Sequence, residues 1–74
     1  MKKYAVIIER GPNNYGAYVP DLPGCVAVAD TIEEAQRLIR EAIEFHLEGM
    51  LEDGDPIPEP TTHAMELSVE VPAA

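Results

Sequence analysis

Apolar side chains fall into two strand-like rhythms, separated by one long stretch with helical spacing. From Tyr4 to Arg10, the residues Val6, Ile7 and Ile8 stand in succession. Neighbouring strand residues point to opposite faces, so this run places apolar groups on both sides and predicts a central strand. Gly11, Pro12, Asn13 and Asn14 supply turn chemistry, and Tyr15 to Val19 reads as a second strand of the same hairpin. Pro20, Asp21, Leu22, Pro23 and Gly24 interrupt the ladder, because proline has no N–H to donate. Cys25 to Ala29, short and mostly apolar, predicts a third strand.

The rhythm then changes from two to between three and four. Thr31, Ile32, Glu33 and Glu34 form a capping-box sequence, in which the threonine oxygen accepts an unpaired backbone N–H and Glu34 reaches back. Ala35, Leu38, Ile39, Ala42, Ile43, His46 and Met50 follow at helical spacing, with Glu33, Arg37, Arg40, Glu41, Glu44 and Glu48 on the other side. A helix from about Thr31 to Glu52, closed by Gly54, spans about 33 Å, against about 20 Å for the predicted strands. Its second half should overhang the sheet. There Phe45, Leu47, Met50 and Leu51 widen the apolar arc beyond one sheet face, which predicts an oligomer interface on these four residues.

Pro56, Ile57, Pro58, Glu59 and Pro60 make a stiff extended connector that cannot be helical. Met65, Leu67, Val69 and Val71 then alternate with Glu66, Ser68 and Glu70 and predict a fourth strand with one covered face, ended by Pro72. The expected fold class is α+β, in the order β-β-β-α-β. One long helix packs on one face of the sheet and crosses over to set the fourth strand parallel to the first. Residues 1–74 form a single domain on this reading, without repeats or a low-complexity tail. One helix covers one sheet face, so a homodimer or tetramer is expected to cover the other.

Size and charge sharpen this picture. The chain has 74 residues, and a domain this short hides only about 60% of the surface its unfolded chain exposes, while a single cysteine offers no internal disulfide. A metal or an oligomer is the natural supplement. Fourteen acidic against five basic side chains give a formal charge of -9, which repels phosphate backbones and attracts a basic protein partner. Direct nucleic-acid binding is therefore not expected. No apolar run approaches the roughly 20 residues of a bilayer span, and Lys2 and Lys3 lead into a strand instead of a signal-peptide core. The expectation is a cytoplasmic protein without membrane contact.

The residue types that carry chemistry are sparse. Glu9, Asp21, Asp30, Glu41 and Glu70 are candidates for a carboxylate cluster, and Glu9, Asp30 and Glu70 form the set that magnesium-dependent nuclease chemistry would use, but their spacing matches solvated surface better. Glu52 to Asp55 lacks the ligand pattern of a calcium loop. His46, His63 and Cys25 are too few and too scattered for a zinc tetrad, and nothing sets a base beside the Cys25 thiol. No metal, cofactor or catalytic residue is expected. Tyr4, Tyr15 and Tyr18 could stack on bases, yet without cations around them hairpin packing explains them better. The acidic helix end is more telling. Glu44, Glu48 and Glu52 recur every four residues and Asp53 follows, although acids near a helix C-terminus oppose its dipole. A docking patch for a cationic partner explains that placement, as does a solubilising face.

The run Tyr15-Gly16-Ala17-Tyr18-Val19-Pro20-Asp21-Leu22-Pro23-Gly24-Cys25, followed by Asp30-Thr31-Ile32-Glu33-Glu34-Ala35, resembles the HicB-type antitoxin family. Glu41-Ala42-Ile43 and the Pro56-Ile57-Pro58 connector extend the resemblance over nearly the whole chain. It implies a partial ribonuclease H-like sheet without nuclease activity, and a small basic HicA toxin, which cleaves messenger RNA, as the partner to be neutralised. Many members also carry a C-terminal DNA-binding module that represses their operon. Ala27 and Ala29 stand where the family often has threonine and glycine, and the 74 residues show no helix-turn-helix or ribbon-helix-helix pattern, so a stand-alone domain is expected.

The resulting expectation is an antitoxin-like binding protein that occludes the active surface of a HicA-type toxin. Glu44, Glu48, Glu52 and Asp53 would steer the partner, and Tyr15, Tyr18 and Leu22 would touch it. The alternatives are an orphan oligomeric assembly domain with an unrelated partner and, third, the magnesium-dependent nuclease.

Overall fold

The computed structural model describes residues 1–73. Three short strands and one long helix form in the order read from the sequence: β1 (Ile7–Arg10), β2 (Tyr15–Tyr18), β3 (Val26–Ala29) and α1 (Ile32–Asp53). This is an α+β fold. β1 pairs antiparallel with β2 and β2 with β3, giving the sheet order β1-β2-β3. The hairpin turns on Gly11 to Asn14, where the Gly11 N–H donates to the Asn14 carbonyl at 2.7 Å. Between β2 and β3, Val19, Leu22 and Cys25 are linked by backbone hydrogen bonds around the two prolines, and Gly24 takes a φ of 85° that favours a residue without Cβ.

Helix α1 starts and stops on chemistry visible in the sequence. The Thr31 side chain accepts the Glu34 N–H at 3.1 Å, satisfying one of the orphan donors of the first turn. At the far end Gly54 sits in the left-handed region, with φ 74°. Its N–H reaches the Leu51 carbonyl, and the Asp55 N–H reaches Met50, a reciprocal closure that satisfies two terminal carbonyls. The helix lies chiefly over β3 and β2. Ala17, Val19, Leu22, Cys25 and Ile39 form the buried core, with Val6, Ile8, Ala42, Ile43 and Leu47 packed around it. Alanines at 17, 27, 29 and 35 keep helix and sheet close, since small side chains at the contact shorten the distance between layers.

After the helix, the proline-rich connector returns along the domain and is tied at three points. Lys2 pairs with Glu59, the Tyr4 hydroxyl donates to the Pro58 carbonyl at 2.5 Å, and Asp21 receives both Thr61 and Thr62.

Two expectations differ from the structure. Residues 65–71 carry the alternation of a strand but do not join the sheet, and Met65, Leu67, Val69 and Val71 are 75–86% exposed. A strand needs a partner for its backbone N–H and C=O groups, and alternation alone does not supply one. β1, expected at the centre, is for the same reason an edge strand of the described sheet, with β2 in the middle.

Candidate functional site

Asp21 is the most heavily bonded side chain outside the core. Its Oδ2 accepts the backbone N–H groups of Thr61 and Thr62, both at 3.0 Å, and its Oδ1 accepts their hydroxyls at 3.0 and 2.8 Å. Hydrogen bonds to the ionised form, those from Thr62 first, lower its pKa from 3.8 to about 2. The sequence offers Asp21 as a turn residue and as one acid of a candidate carboxylate cluster; the structure makes it a clamp that closes the β2–β3 turn onto the connector. The paired threonines at 61 and 62, each with two donors, were the signal for that role in the sequence.

Outside the clamp the molecule offers two unlike surfaces, one on each layer. On the helix, Glu44, Glu48, Glu52 and Asp53 are all exposed. The glutamates stand at four-residue steps and form an exposed acidic stripe along the helix, which begins at Glu44 on the rim of the α1–β1 groove. On the helix-free face of the sheet, register brings Ile7, Tyr18 and Val26 into one row across the three strands. Val28 follows beside Val26, and these two valines are 64% and 62% exposed. Side chains two apart on a strand share a face, so large residues at 26 and 28 alternating with alanines at 27 and 29 were the sequence signal for this patch.

The expected contact residues separate accordingly. Tyr18 is exposed on the free sheet face, but Tyr15, three residues away, lies on the helix side with Ala17 and Val19. Leu22 is 1% exposed and forms the centre of the core, so the expected surface contact is corrected to a structural anchor of the turn. Large apolar groups in a proline-bounded turn fold inward when the turn itself is hydrogen-bonded shut. The residues expected at the oligomer interface divide too. Phe45 is 76% exposed, whereas Leu47 packs against the core and Met50 is half-buried. Phe45 and Leu47 are two positions apart, hence about 200° around the helix, and cannot share one patch. Leu47 and Leu51 instead line the wall of an open groove of about 1150 Å³ between α1 and β1, facing Val6 and Ile8.

Among the described residues no three His, Cys, Asp or Glu side chains converge as a metal site would need, so Glu9, Asp30 and Glu70 remain apart. Cys25 is buried, and desolvation pushes its thiol pKa up, away from the reactive thiolate. No helix among the described residues is long and apolar enough to cross a membrane.

Residues 4–71 match the family model of the HicB-like antitoxin of bacterial toxin–antitoxin systems. An uncharacterised 14.9 kDa protein of Haemophilus phage HP1 is 47% identical over 55 residues, which cover 74% of this chain and 41% of that protein. A UPF0150 protein of Synechocystis is 36% identical over 92% of this chain and 87% of its own length. Antitoxin HicB 2 of Photorhabdus laumondii is 33% identical over 97% of this chain, which spans about half (51%) of that protein. Among solved structures, a chain of a HicA3 and HicB3 toxin–antitoxin complex superposes with a TM-score of 0.69 at 27% identity, covering 81% of this chain and 70% of that one. A match that runs through strands, clamp and helix alike decides the matter: the chain belongs to the HicB-like antitoxin family.

Proposed function

We propose that this protein is an antitoxin that binds a small basic HicA-type toxin, an enzyme that cleaves messenger RNA, and neutralises it by covering its active surface. The observation that carries the reading is family membership over residues 4–71, joined to a fold shared with a chain of a HicA3 and HicB3 complex. The charge of -9 and the exposed stripe of Glu44, Glu48, Glu52 and Asp53 support a cationic partner, because complementary fields raise association rates and orient the encounter. The protein does no catalysis on this reading; it acts by stoichiometric occupation, in the cytoplasm where such a toxin works.

The acidic stripe and Tyr18 lie on opposite layers, so one partner surface does not cover both. The stripe is the docking side, and Tyr18 with Val26 is left to a second contact. Self-association as a homodimer or tetramer belongs to the same reading, supported by the exposed Phe45 and Leu51.

The test is titration of the full chain against a basic HicA-like protein, followed by calorimetry and by protection of a messenger RNA from cleavage. Binding is expected at one to one, weakening as salt rises. Glu44→Lys with Glu48→Lys should slow association at least tenfold while Tyr18→Ala changes it little. Absence of binding at low salt defeats the antitoxin reading, and the reverse ranking of the two variants moves docking to the sheet face.

A further inference from the structure

Two parts of the molecule lack a partner, and they match each other. The first is the edge of β1. Val6, Ile7 and Ile8 have the two-sided apolar pattern of a central strand, yet β1 ends the sheet and leaves its outer backbone groups unpaired. Beside that edge lies the groove of about 1150 Å³, floored by Val6, Ile8, Ile43, Leu47 and Leu51. Its rim is of mixed charge: Lys2, Lys3, Arg37 and Arg40 line it together with Glu33 and Glu44, and Lys2 and Arg37 are already paired with Glu59 and Glu41. The second part is residues 65–71, a seven-residue segment with four apolar side chains on one face and Glu66 and Glu70 on the other. It is exposed throughout.

The segment does not turn back on its own domain. The radius of gyration is 15.0 Å, against about 11 Å for a compact chain of this length. The longest dimension is 55 Å, twice the next at 27 Å. The clamp at Asp21 holds Thr61 and Thr62, and the chain then leaves beside the β1 edge, where Ala64, Met65 and Glu66 border a shallow hollow with Ile7, Ile8 and Ile32. A strand that departs beside an open edge of its own kind needs only a short crossing to reach the same edge of a two-fold related copy, and the exchange closes by symmetry.

We propose that two copies of this chain exchange residues 65–71, each segment adding as a fourth strand to the β1 edge of the other and laying Met65, Leu67, Val69 and Val71 into the other's α1–β1 groove. The apolar row meets the apolar floor and the backbone completes a ladder that β1 leaves open, while Glu66 and Glu70, on the other face of the added strand, stay turned to solvent. The occupant is a second copy because the pattern that fits the groove is the chain's own. This deepens the self-association part of the proposed function and does not depend on toxin binding.

The test mixes isotopically labelled and unlabelled full-length protein in equal amounts and records filtered nuclear Overhauser contacts that arise only between molecules. Contacts from the methyl groups of Leu67 and Val69 to those of Val6, Ile8 and Leu47 are expected between chains. Light scattering should give twice the chain mass, and Leu67→Lys with Val69→Lys, both outside the folded core, should halve it while the circular dichroism of the domain persists. Contacts confined to one chain, or no contacts from the segment, overturn the exchange. A dimer that survives the double lysine variant also overturns it, while leaving self-association through Phe45 standing.

Discussion

Strand β2 and residues 65–71 carry the same two-residue rhythm, and they end in opposite environments. In β2 the inward side chain Ala17 and, just past the strand, Val19 are buried under α1, with a hydrogen-bonded neighbour on either edge. In the C-terminal segment Leu67 and Val69 are more than three-quarters exposed. The difference is in what closes around them. β2 is tied to β1 by a four-residue turn, which makes pairing local and fast to find. The last segment is separated from the strand it suits by the whole helix and a connector anchored at Asp21, so its partner has to be found across space. Alternation selects a face; it does not provide the element that covers that face.

The contrast yields measurable differences between the two regions. Leu22→Ala removes the most buried large side chain from the turn that follows β2, and unfolding in urea should show a loss of about 2–5 kcal/mol. A loss below about 1 kcal/mol would mean that the turn is not part of the core. Thr31→Ala removes the cap that starts α1 over β3 and should cost about 1 kcal/mol by the same measurement, with Thr31→Ser restoring most of it.

The clamp between the two regions is read by pH. The Asp21 carboxyl has its pKa lowered to about 2 in the folded protein from an ordinary 3.8, so its contribution to stability is present in full above 3.8 and is lost as pH falls toward 2. Melting temperature followed from pH 5 to pH 2 should therefore drop more steeply for the native protein than for Asp21→Asn. In that variant the Thr61 and Thr62 amides should exchange with solvent much faster than in the native protein, because the donors lose the carboxylate that holds them. Equal exchange rates would show that the connector is held elsewhere. The smallest effect belongs to the segment itself. Leu67→Ala, measured at a dilution that keeps chains apart, should change the unfolding free energy by less than about 0.5 kcal/mol, since there is no packing to lose.

Much of this was legible in the residues. The three strands, the turn at Pro20 to Gly24, the Thr31 cap and the Gly54 stop were all readable because each depends on neighbours within a few positions. The family was legible for a related reason: its motifs run through those same turns and caps. The surfaces were harder to read. Leu22 looked like a contact because it stands in a proline-bounded turn, and only the packing around it showed that it faces inward. Tyr15 and Tyr18 looked like a pair until strand register put them on opposite faces, and Phe45 and Leu47 parted in the same way around the helix. Asp21 was one acid among fourteen until Thr61 and Thr62 closed on it from forty residues away.

By itself the sequence determined the elements, their order, the charge and the family, since capping, turn chemistry and periodicity act over short stretches of chain. Tertiary structure alone decided that β1 lies at an edge, that Leu22 is core, that Asp21 is a clamp and that residues 65–71 remain outside the sheet and exposed. Those outcomes depend on contacts between residues distant in sequence, where a partner is set by how whole faces close on one another and not by any local pattern.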